Sequence, residues 1–565
     1  MIHRKDTVIS LSTVALGFCT VIFILVILVL SSVPPVSRDA LTHHLAVPKI
    51  WLKTGMFKEL PSIPFSYYPM NLDLLYMIPL SFGNDIIPKY IHFLFALGTA
   101  WIVFKYLKNR VSINYGFLGA AFFLSIPIIV KLSTTAYVDL GLIFFSTAAL
   151  LSLLKWNEKR HKLKYLIISS VCCGLTLGAK YNGLITLLLL SCMVPVLYLR
   201  GDTTKGTPEG LTMQLRALGL GLVFVAISLL IFSPWMIRNY VLTGNPIYPL
   251  YNRLFNQQSD PEIGDKPSND TENANDKSEG GGWSHFAVRK VVYGESFLQT
   301  TTIPLRVFFE GHDDDPKYFD GKLNPFLLLL LPFILLPGRS NDSSVNIEVK
   351  VLVFFSFFYL LIVFFQIDMR IRWISPIVPP MVVLSVYGLQ KLQVFLQSIC
   401  KRQKMIKGII ISIGIVMLLL NANYVYSLYR NVDPIPYITG QISRDDYIRK
   451  FRPEYEVIRY TNHHLHSNTS MLCLFMGNRR YYFDKQPIMN VNVLKRALSS
   501  SHTIDQVRSR LRDLNITHII LRYDLFANWL ENSLDPTERA LLDRFFFMHT
   551  TKIRSYGGYG LYELM

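Results

Sequence analysis

Long stretches of apolar residues that carry almost no charge recur along this chain. Examples are the runs Val8–Val33, Leu323–Leu336, Val351–Phe365 and Ile406–Leu420. Because the bilayer core offers no water to backbone groups, a spanning segment there must be a helix of about 20 mostly apolar residues. The pattern therefore predicts a polytopic, all-α membrane protein built as a helical bundle.

The spacing of the apolar runs predicts about eleven spans. They lie at residues 8–33, 86–107, 113–131, 137–155, 163–179, 182–200, 214–234, 322–337, 350–367, 373–392 and 406–422. The first run follows His3, Arg4 and Lys5 and has the charge pattern of a cleaved signal peptide. It is longer than a signal core and no small-residue cleavage motif follows it, so we interpret it as a retained helix.

Positive charge is concentrated in short segments between the predicted spans. The chain carries 57 basic and 39 acidic residues, a net charge of +18. Such a balance also occurs in proteins that bind nucleic acid, but loops between spans explain it by the positive-inside rule, so no nucleic-acid partner is expected. The clusters that would be cytoplasmic are Met1–Lys5, Lys105–Arg110, Lys155–Lys164, Arg200–Lys205 and Lys401–Lys407.

This orientation puts the N-terminus in the cytoplasm and three segments on the outer face. They are the first loop (32–85), the second loop (243–321) and the tail (423–565). Within the second loop, the polar tract Gln257–Gly282 is typical of a mobile segment. The six cysteines lie mostly inside or at the edges of spans, so no disulfides are expected.

The tail has the pattern of a small soluble α/β domain. Met471–Met476 is an apolar run followed by a Gly-Asn turn, and Ile504–Leu514 has helical spacing. Thr517–Leu521 and Tyr559–Leu564 are typical of strands. We therefore expect a transmembrane domain over residues 1–422 and an extracytoplasmic α/β domain over 423–565.

Asp39 is the first candidate for chemistry, because it follows the first span within a few residues. Ionisable groups so near the membrane are costly and mark functional sites. If Arg38–Val47 is a helix that ends before Pro48, Asp39 and His43 share one face, and His43 is a candidate for binding the substrate or the lipid phosphate. A carboxylate there could accept a proton from a nucleophile, and it could equally be a charge favoured at a helix N-terminus.

Six basic residues lie near the predicted outer boundary, where the positive-inside rule predicts few. A lipid-linked phosphate needs cationic donors at this depth, although each residue alone could extend to lipid headgroups. As a group they favour phosphate binding. They are Lys49, Lys89, Lys180, Arg238, Arg370 and Arg372.

Other carboxylates are weaker candidates. Asp139 opens the fourth span, where it could assist Asp39, pair with one of the cations or serve as a helix N-terminal charge. Asp73 and Glu59 are interpreted as surface-loop residues. No set of side chains with the spacing of metal ligands is evident. The sequence leaves open whether the protein uses a divalent metal.

In its short motifs and in their order along the sequence, the chain resembles the polytopic GT-C glycosyltransferases. The resemblance is to the branch of bacterial protein O-mannosyltransferases and lipid A aminoarabinose transferases, and it covers roughly residues 1–392. The motifs are Asp39–Lys49, Ser66–Asp73, Ala136–Asp139, Gly174–Lys180, Pro234–Asn239, Gly244–Pro249 and Arg370–Arg372 with Pro376 and Pro379.

The resemblance implies an inverting transfer of a sugar from a polyprenyl-phosphate donor on the extracytoplasmic face of the bacterial inner membrane. The acceptor would be a protein, lipid or glycan. Asp39 would activate the acceptor, and Lys180, Arg238, Arg370 and Arg372 would neutralise the leaving phosphate. Several relatives carry an adjacent acidic pair, whereas Ala40 follows Asp39 here, so the metal requirement and the sugar stay open.

Two other functions remain compatible with the pattern. A polysaccharide polymerase or ligase also uses arginines and a large loop on the outer face. A lipid-linked sugar transporter or flippase would be non-enzymatic, but it is expected to have broken spans and charges near the midplane, and few are evident.

Overall fold

The structure, a computed structural model, describes residues 11–202, 210–256, 284–336, 343–466 and 468–565. Several predictions lie outside these residues. They are the orientation cluster Met1–Lys5, the first residues of the first run, the end of the cluster Arg200–Lys205 and the mobile tract Gln257–Gly282.

The described residues up to the tail are almost entirely helical. The α-helices are α1 (Leu11–Ser31), α2 (Ala46–Thr54), α3 (Asn71–Ser81), α4 (Ile87–Arg110), α5 (Ile113–Ser125), α6 (Pro127–Ser133), α7 (Asp139–Glu158), α8 (Leu163–Ala179), α9 (Gly183–Asp202), α10 (Leu211–Thr243), α11 (Asn252–Phe255), α12 (His285–Val291), α13 (Phe297–Thr301), α14 (Ile303–Arg306), α15 (Phe326–Leu329), α16 (Ser343–Gln366), α17 (Val378–Ile399) and α18 (Gln403–Val432). A π-helix lies at Ala40–His44, and 3₁₀ turns lie at Pro64–Tyr67, Pro316–Tyr318, Leu331–Leu335, Ile371–Trp373 and Ser375–Ile377.

Eight helices among the described residues are long and apolar enough to cross a membrane, and a ninth span results if α5 and α6 are counted as one. These two helices meet at an angle of 65°. Pro127 begins α6, and the residue before a proline avoids helical geometry, so Ile126 is extended with ψ of 129°. The chain is an integral membrane protein with a mostly helical fold.

Every predicted span has a helical counterpart, but one is too short to cross a bilayer as a single helix. Residues 322–337 form only α15 and a 3₁₀ turn. Leu331 is followed by Pro332, which cannot donate a backbone hydrogen bond to continue the helix. α8, with 17 residues, is at the lower limit of spanning length.

In the part of the bundle that the structure describes, one large apolar core is accompanied by two smaller apolar clusters around the first loop. α7 packs against α4 and α8, α8 packs against α10, and α17 packs against α5 and α16. α10 continues to Thr243 and α18 continues to Val432, so both extend well beyond the predicted span ends. The boundary predicted at 422/423 therefore falls inside a helix.

The tail folds as four strands flanked by helices. After α19 (Ile435–Ile438), α20 (Arg444–Phe451) and α21 (Tyr455–His464) come β1 (Met471–Leu474), α22 (Val491–Ser499), α23 (Ile504–Asp513), β2 (His518–Arg522), α24 (Tyr523–Ser533), α25 (Pro536–His549), β3 (Thr550–Tyr556) and β4 (Tyr559–Leu564). The sheet order is β1-β2-β4-β3. β1 and β2 are parallel, with Met471 opposite His518, and β4 pairs antiparallel with both β2 and β3.

Two apolar cores cover the faces of this sheet, which confirms the predicted α/β class of the tail. Leu472 and Leu474 face one core with α22 to α25, and Met471 and Cys473 face the other with α21. β1 is buried on both sides, as a strand in the parallel part of a sheet must be. β3 was not predicted, because most of its residues are polar and exposed.

The first loop folds differently from its prediction. Residues 40–44 form a π-helix, with the Leu45 N–H donating to the carbonyl of Ala40 at 2.9 Å, and α2 then continues to Thr54. The helix was expected to end before Pro48. Pro48 is the third residue of α2, where the backbone N–H has no partner within the helix, so a proline there removes no bond.

Candidate active site

Two ion pairs join the first loop, the start of α7 and the segment after α16. Asp39 Oδ2 lies 2.5 Å from Arg372 Nη1, and Asp139 Oδ1 lies 2.7 Å from Lys180 Nζ. Arg372 also interacts electrostatically with Asp139, which places the two pairs within one site. Four of the residues predicted for chemistry are thus brought together from distant parts of the chain.

The Asp39–Arg372 pair is largely buried, with about a fifth of each side chain exposed (21% and 20%). Asp39 stands directly before the π-helix Ala40–His44, and Arg372 is in a 3₁₀ turn. π-Helical turns are rare and occur frequently at functional sites. The guanidinium of Arg372 also lies over the ring of Tyr137, 5.7 Å from its centre.

The Asp139–Lys180 pair is held by helix ends. Asp139 is the first residue of α7, where the helix dipole favours a carboxylate, and only 1% of its side chain is exposed. Lys180 lies in the turn between α8 and α9. His92 accepts from the Leu140 N–H at 2.9 Å and so helps to fix the start of α7.

A third pair lies beside these two, between His44 and Asp73. His44 Nδ1 and Asp73 Oδ1 are 2.7 Å apart, and Asp73 is 1% exposed. Asp73 was predicted to be a surface-loop residue, and this prediction was wrong. α3 begins at Asn71 and its first turn buries Asp73, which the sequence pattern alone does not reveal.

His43, predicted to share the face of Asp39, packs inside the first loop. Its ring stacks on Phe65 with centres 4.5 Å apart, and its Nδ1 lies 2.9 Å from Thr42 Oγ1. Burial, reinforced by the neighbouring His44, holds the pKa of His43 well below its usual value. The ring is therefore neutral at neutral pH.

Charge pairing decides the protonation of Asp39. Burial alone would raise its pKa, but the guanidinium of Arg372 outweighs burial and holds the pKa of Asp39 well below its usual value. Conversely, burial opposes the charge of Arg372 while the carboxylate of Asp39 raises the pKa of Arg372. Both groups are therefore charged at neutral pH.

Arg238, on α10, is held in an aromatic cage apart from these carboxylates. Its guanidinium lies 5.6 Å from the ring centre of Trp51, 5.9 Å from Trp235 and 6.0 Å from Tyr67. Nη1 donates to the carbonyl of Ser66 at 3.1 Å, and Nη2 is buried without a hydrogen-bond partner among the described residues. The Nη2 group of Arg238 can therefore donate a hydrogen bond to an anion.

Three other predicted cations contact different groups. The ammonium of Lys49 donates to the carbonyls of Tyr481 and Phe483 at 2.8 and 3.2 Å. Lys89 is buried and donates to the carbonyl of Val33. Arg370 lies over the ring of Trp373, 5.1 Å from its centre. Lys49 and Lys89 thus donate to backbone carbonyls, and their contact with a phosphate stays a prediction.

The tail contacts the first loop beside Asp39. The N–H groups of Arg480 and Tyr481 both donate at 3.0 Å to the carbonyl of Leu41, inside the π-helix. Tyr482 donates to the carbonyl of Pro35 at 2.7 Å. This contact was not predicted from the sequence. Its signal there is the Arg-Arg-Tyr-Tyr run at 479–482, which follows a strand that ends in a turn.

Replacing Lys49 by methionine is expected to loosen this contact. The ammonium is mostly buried and its loss leaves two carbonyls unpaired, which should cost about 1–3 kcal/mol. Thermal unfolding and limited proteolysis of the tail in detergent measure the effect. Lys53→Met is the matched control, because Lys53 is 48% exposed and its ammonium contacts the carbonyl of Asp484 at 3.0 Å and the carboxylate of the same residue at 3.6 Å. Equal stability of both variants and the wild type would contradict the expectation.

The carboxylates of the candidate site are paired with cationic side chains and are not grouped as metal ligands would be. Among the described residues, no three His, Cys, Asp or Glu side chains come together as they would around a metal ion. Asp39 and Asp139 each have a cationic side chain as the nearest partner instead.

The chain is similar to known proteins in part of its sequence and in its fold. The family described as dolichyl-phosphate-mannose-protein mannosyltransferase matches residues 63–243. No curated protein sequence matches the chain. The archaeal oligosaccharyltransferase of Archaeoglobus fulgidus, in its apo form, has a TM-score of 0.47 at 12% identity and covers 96% of this chain and 74% of its own.

Two structures of ArnT from Cupriavidus metallidurans superpose over almost the whole length. The apo structure has a TM-score of 0.53 at 12% identity, and the structure bound to undecaprenyl phosphate has 0.52 at 11%. Each covers 97% of this chain and 98% of its own. The chain is therefore an integral membrane protein with a PMT-like GT-C fold.

Proposed function

We propose that this protein is a glycosyltransferase that moves a sugar from a polyprenyl-phosphate donor to an acceptor, with inversion at the sugar carbon. The observation that carries the proposal is the pairing of Asp39 with Arg372 beside the pair of Asp139 with Lys180. Similarity of residues 63–243 to the mannosyltransferase family supports it. So does the fold shared with ArnT, which has been seen with undecaprenyl phosphate.

In the proposed reaction, an oxygen or nitrogen of the acceptor attacks the sugar carbon that is bonded to the lipid phosphate. The new bond forms as the bond between carbon and phosphate oxygen breaks, and the phosphate leaves with the electron pair. Asp39 takes the proton of the nucleophile. Arg372, Arg238 and Lys180 stabilise the negative charge on the phosphate, an effect that grows in a dry site.

Arg372 links donor binding to the strength of the base. While paired with Arg372, Asp39 is a weak base, because its pKa lies far below neutral. A lipid phosphate that draws the guanidinium towards itself weakens this pairing. Burial then dominates and raises the pKa of Asp39, so the base becomes stronger when the donor is in place. Asp139 keeps Lys180 oriented beside it.

In the proposed orientation, which the positive-inside pattern supports, the first loop, the second loop and the tail would lie on the extracytoplasmic face. The membrane would be the inner membrane of a bacterium. The acceptor would be a protein, lipid or glycan that reaches the site from that side. The transmembrane domain (1–422) would hold the catalytic groups, and the tail (423–565) would close the site from above the first loop.

A transfer assay tests the proposal. Purified protein is incubated with radiolabelled polyprenyl-phosphate sugars and a cell-envelope fraction, and label is expected to appear on the acceptor while free polyprenyl phosphate accumulates. In parallel, proteoliposomes carrying the labelled donor on one side report its movement across the bilayer. Movement of intact donor without transfer would instead identify a transporter.

Replacing Arg238 by glutamine is expected to weaken the binding of undecaprenyl phosphate about 10- to 100-fold, the range for a lost charge-assisted hydrogen bond. Affinity is measured by microscale thermophoresis in detergent. Arg216→Gln is the control, because Arg216 is exposed on the same helix about 33 Å away along its axis. Unchanged affinity in Arg238→Gln would remove this residue from the phosphate site.

A further inference from the structure

A cavity of about 350 Å³ opens in the tail at the carboxyl ends of the two parallel strands. The segment after β1 reaches it with Arg479, and the end of β2 reaches it with Arg522. In open α/β sheets, ligands bind outside the carboxyl ends of parallel strands. The cavity therefore lies where this architecture places a binding site, and it is separate from the ion pairs of the candidate active site.

Two helices begin at the wall of this cavity. α21, with 10 residues, starts after Glu454, and α24, with 11 residues, starts after Arg522. The first N–H groups of a helix and its dipole favour an anion at the N-terminus. Here the first N–H groups are already paired: that of Tyr523 donates to the carbonyl of Gly558 and that of Tyr455 to the carbonyl of Arg452, each at 2.9 Å. The dipoles of the two helices still favour a negatively charged ligand at this cavity.

Three guanidinium groups line the same cavity, those of Arg452, Arg479 and Arg522. Two carboxylates offset part of their charge. Arg479 Nε donates to Glu454 at 2.6 Å, and Arg522 binds both oxygens of Asp524 at 2.8 and 2.9 Å. The side-chain charges leave an excess of one positive charge, to which the two helix ends add.

The cavity wall is tied to the first loop close to Asp39. Arg452 Nε donates to the carbonyl of Val36 at 2.6 Å. Val36 precedes Asp39 by three residues, a length of chain that reaches at most about 10 Å. A molecule anchored in the cavity is therefore near the carboxylate proposed to activate the acceptor.

We propose that this cavity binds an anionic oxygen group, phosphate or carboxylate, of the acceptor. The acceptor part rests on the proposed function, whereas the anion site itself does not. An arginine cluster with helix ends selects negative charge, and its position beside Val36 lets the same molecule present a nucleophile to Asp39.

Calorimetry on the full chain in detergent tests the anion site with two probes, inorganic pyrophosphate and trigalacturonic acid. Binding of either probe supports the site and tells which anionic group it takes. Arg522→Gln is expected to weaken binding about tenfold or more, since a charge-assisted hydrogen bond is lost. Asp524→Asn is expected to tighten binding, because it removes the competing carboxylate.

Arg512→Gln is the matched control, because Arg512 is exposed near the end of α23, before β2 begins, and thus at the opposite edge of the sheet. Equal affinity of Arg522→Gln, Asp524→Asn and wild type would overturn the proposal. So would binding that is lost in Arg238→Gln but kept in Arg522→Gln, because the probe would then occupy the lipid-phosphate site. Thermal unfolding verifies that each variant is folded.

The acceptor role has its own readout in the transfer assay. Arg522→Gln is expected to raise the acceptor KM more than it lowers kcat, and Arg512→Gln to change neither. Probe binding that depends on Arg522 without any sugar transfer would refute the proposed function and leave the anion site standing. Transfer with an acceptor KM insensitive to Arg522 would refute the acceptor role alone.

Discussion

Replacing Asp39 by asparagine is expected to lower the rate of sugar transfer by about 10²- to 10⁴-fold, the usual contribution of a positioned base. Asparagine keeps the size and polarity of the side chain but cannot take the proton of the acceptor. It also ends the ion pair with Arg372, whose Nη1 lies 2.5 Å from the carboxylate. Steady-state transfer from a labelled polyprenyl-phosphate sugar measures the loss.

The same substitution is expected to leave donor binding intact or to tighten it, since Arg372 is then available to the lipid phosphate. This separates a catalytic defect from misfolding, which would weaken both. Asp433→Asn is the control, because Asp433 is a half-exposed partner of Lys450 in a left-handed backbone position that asparagine accepts. A transfer rate close to wild type in Asp39→Asn would exclude Asp39 as the base.

Replacing Arg372 by glutamine is expected to lower kcat by about 10²- to 10³-fold, the range for a lost donor to developing negative charge. It should also change the pH dependence of kcat/KM, which reports the ionisation of the free enzyme, in which Arg372 still pairs with Asp39. Without the guanidinium, burial dominates and the pKa of Asp39 rises above its usual value of about 4. Because the ionised carboxylate is the active form, the rate should then fall as the pH is lowered through this raised pKa.

In the wild type, Arg372 depresses the pKa of Asp39, so protonation of this carboxylate should produce no decline in donor affinity or folding stability at mildly acidic pH. Arg370→Gln is the matched control for the pH profile, because Arg370 lies over Trp373 in the same segment. An acid limb identical in Arg372→Gln and Arg370→Gln would contradict the proposed coupling between Arg372 and Asp39.

The fold class was predictable because its signals are local. A membrane span is recognised by about 20 consecutive apolar residues, and the strands of the tail are recognised by short apolar runs between turns. The polar strand β3 was not predicted, because it forms by pairing with β4 and not by burial of its own side chains. The helix end predicted before Pro48 was wrong, because the effect of a proline depends on its position within the helix.

The site was predictable only in part. Asp39, Asp139, Lys180 and Arg372 were singled out as unusual charges near the boundary, and the structure brings them together. The prediction that Asp73 is a surface residue was wrong, because the sequence does not show that α3 buries its side chain against His44. Lys49 and Lys89 carry the same charge as Lys180, yet they bind backbone carbonyls.

The sequence alone predicts a polytopic helical membrane protein with an α/β tail and a set of charged residues at its membrane boundary. Hydrophobic periodicity and charge distribution suffice for this, because they follow from neighbours along the chain. Which charges pair becomes visible only in the folded chain, where Arg372 contacts Asp39 and the tail contacts the carbonyl of Leu41 in the first loop. Electrostatic interactions depend on distances between residues hundreds of positions apart, and folding alone sets those distances.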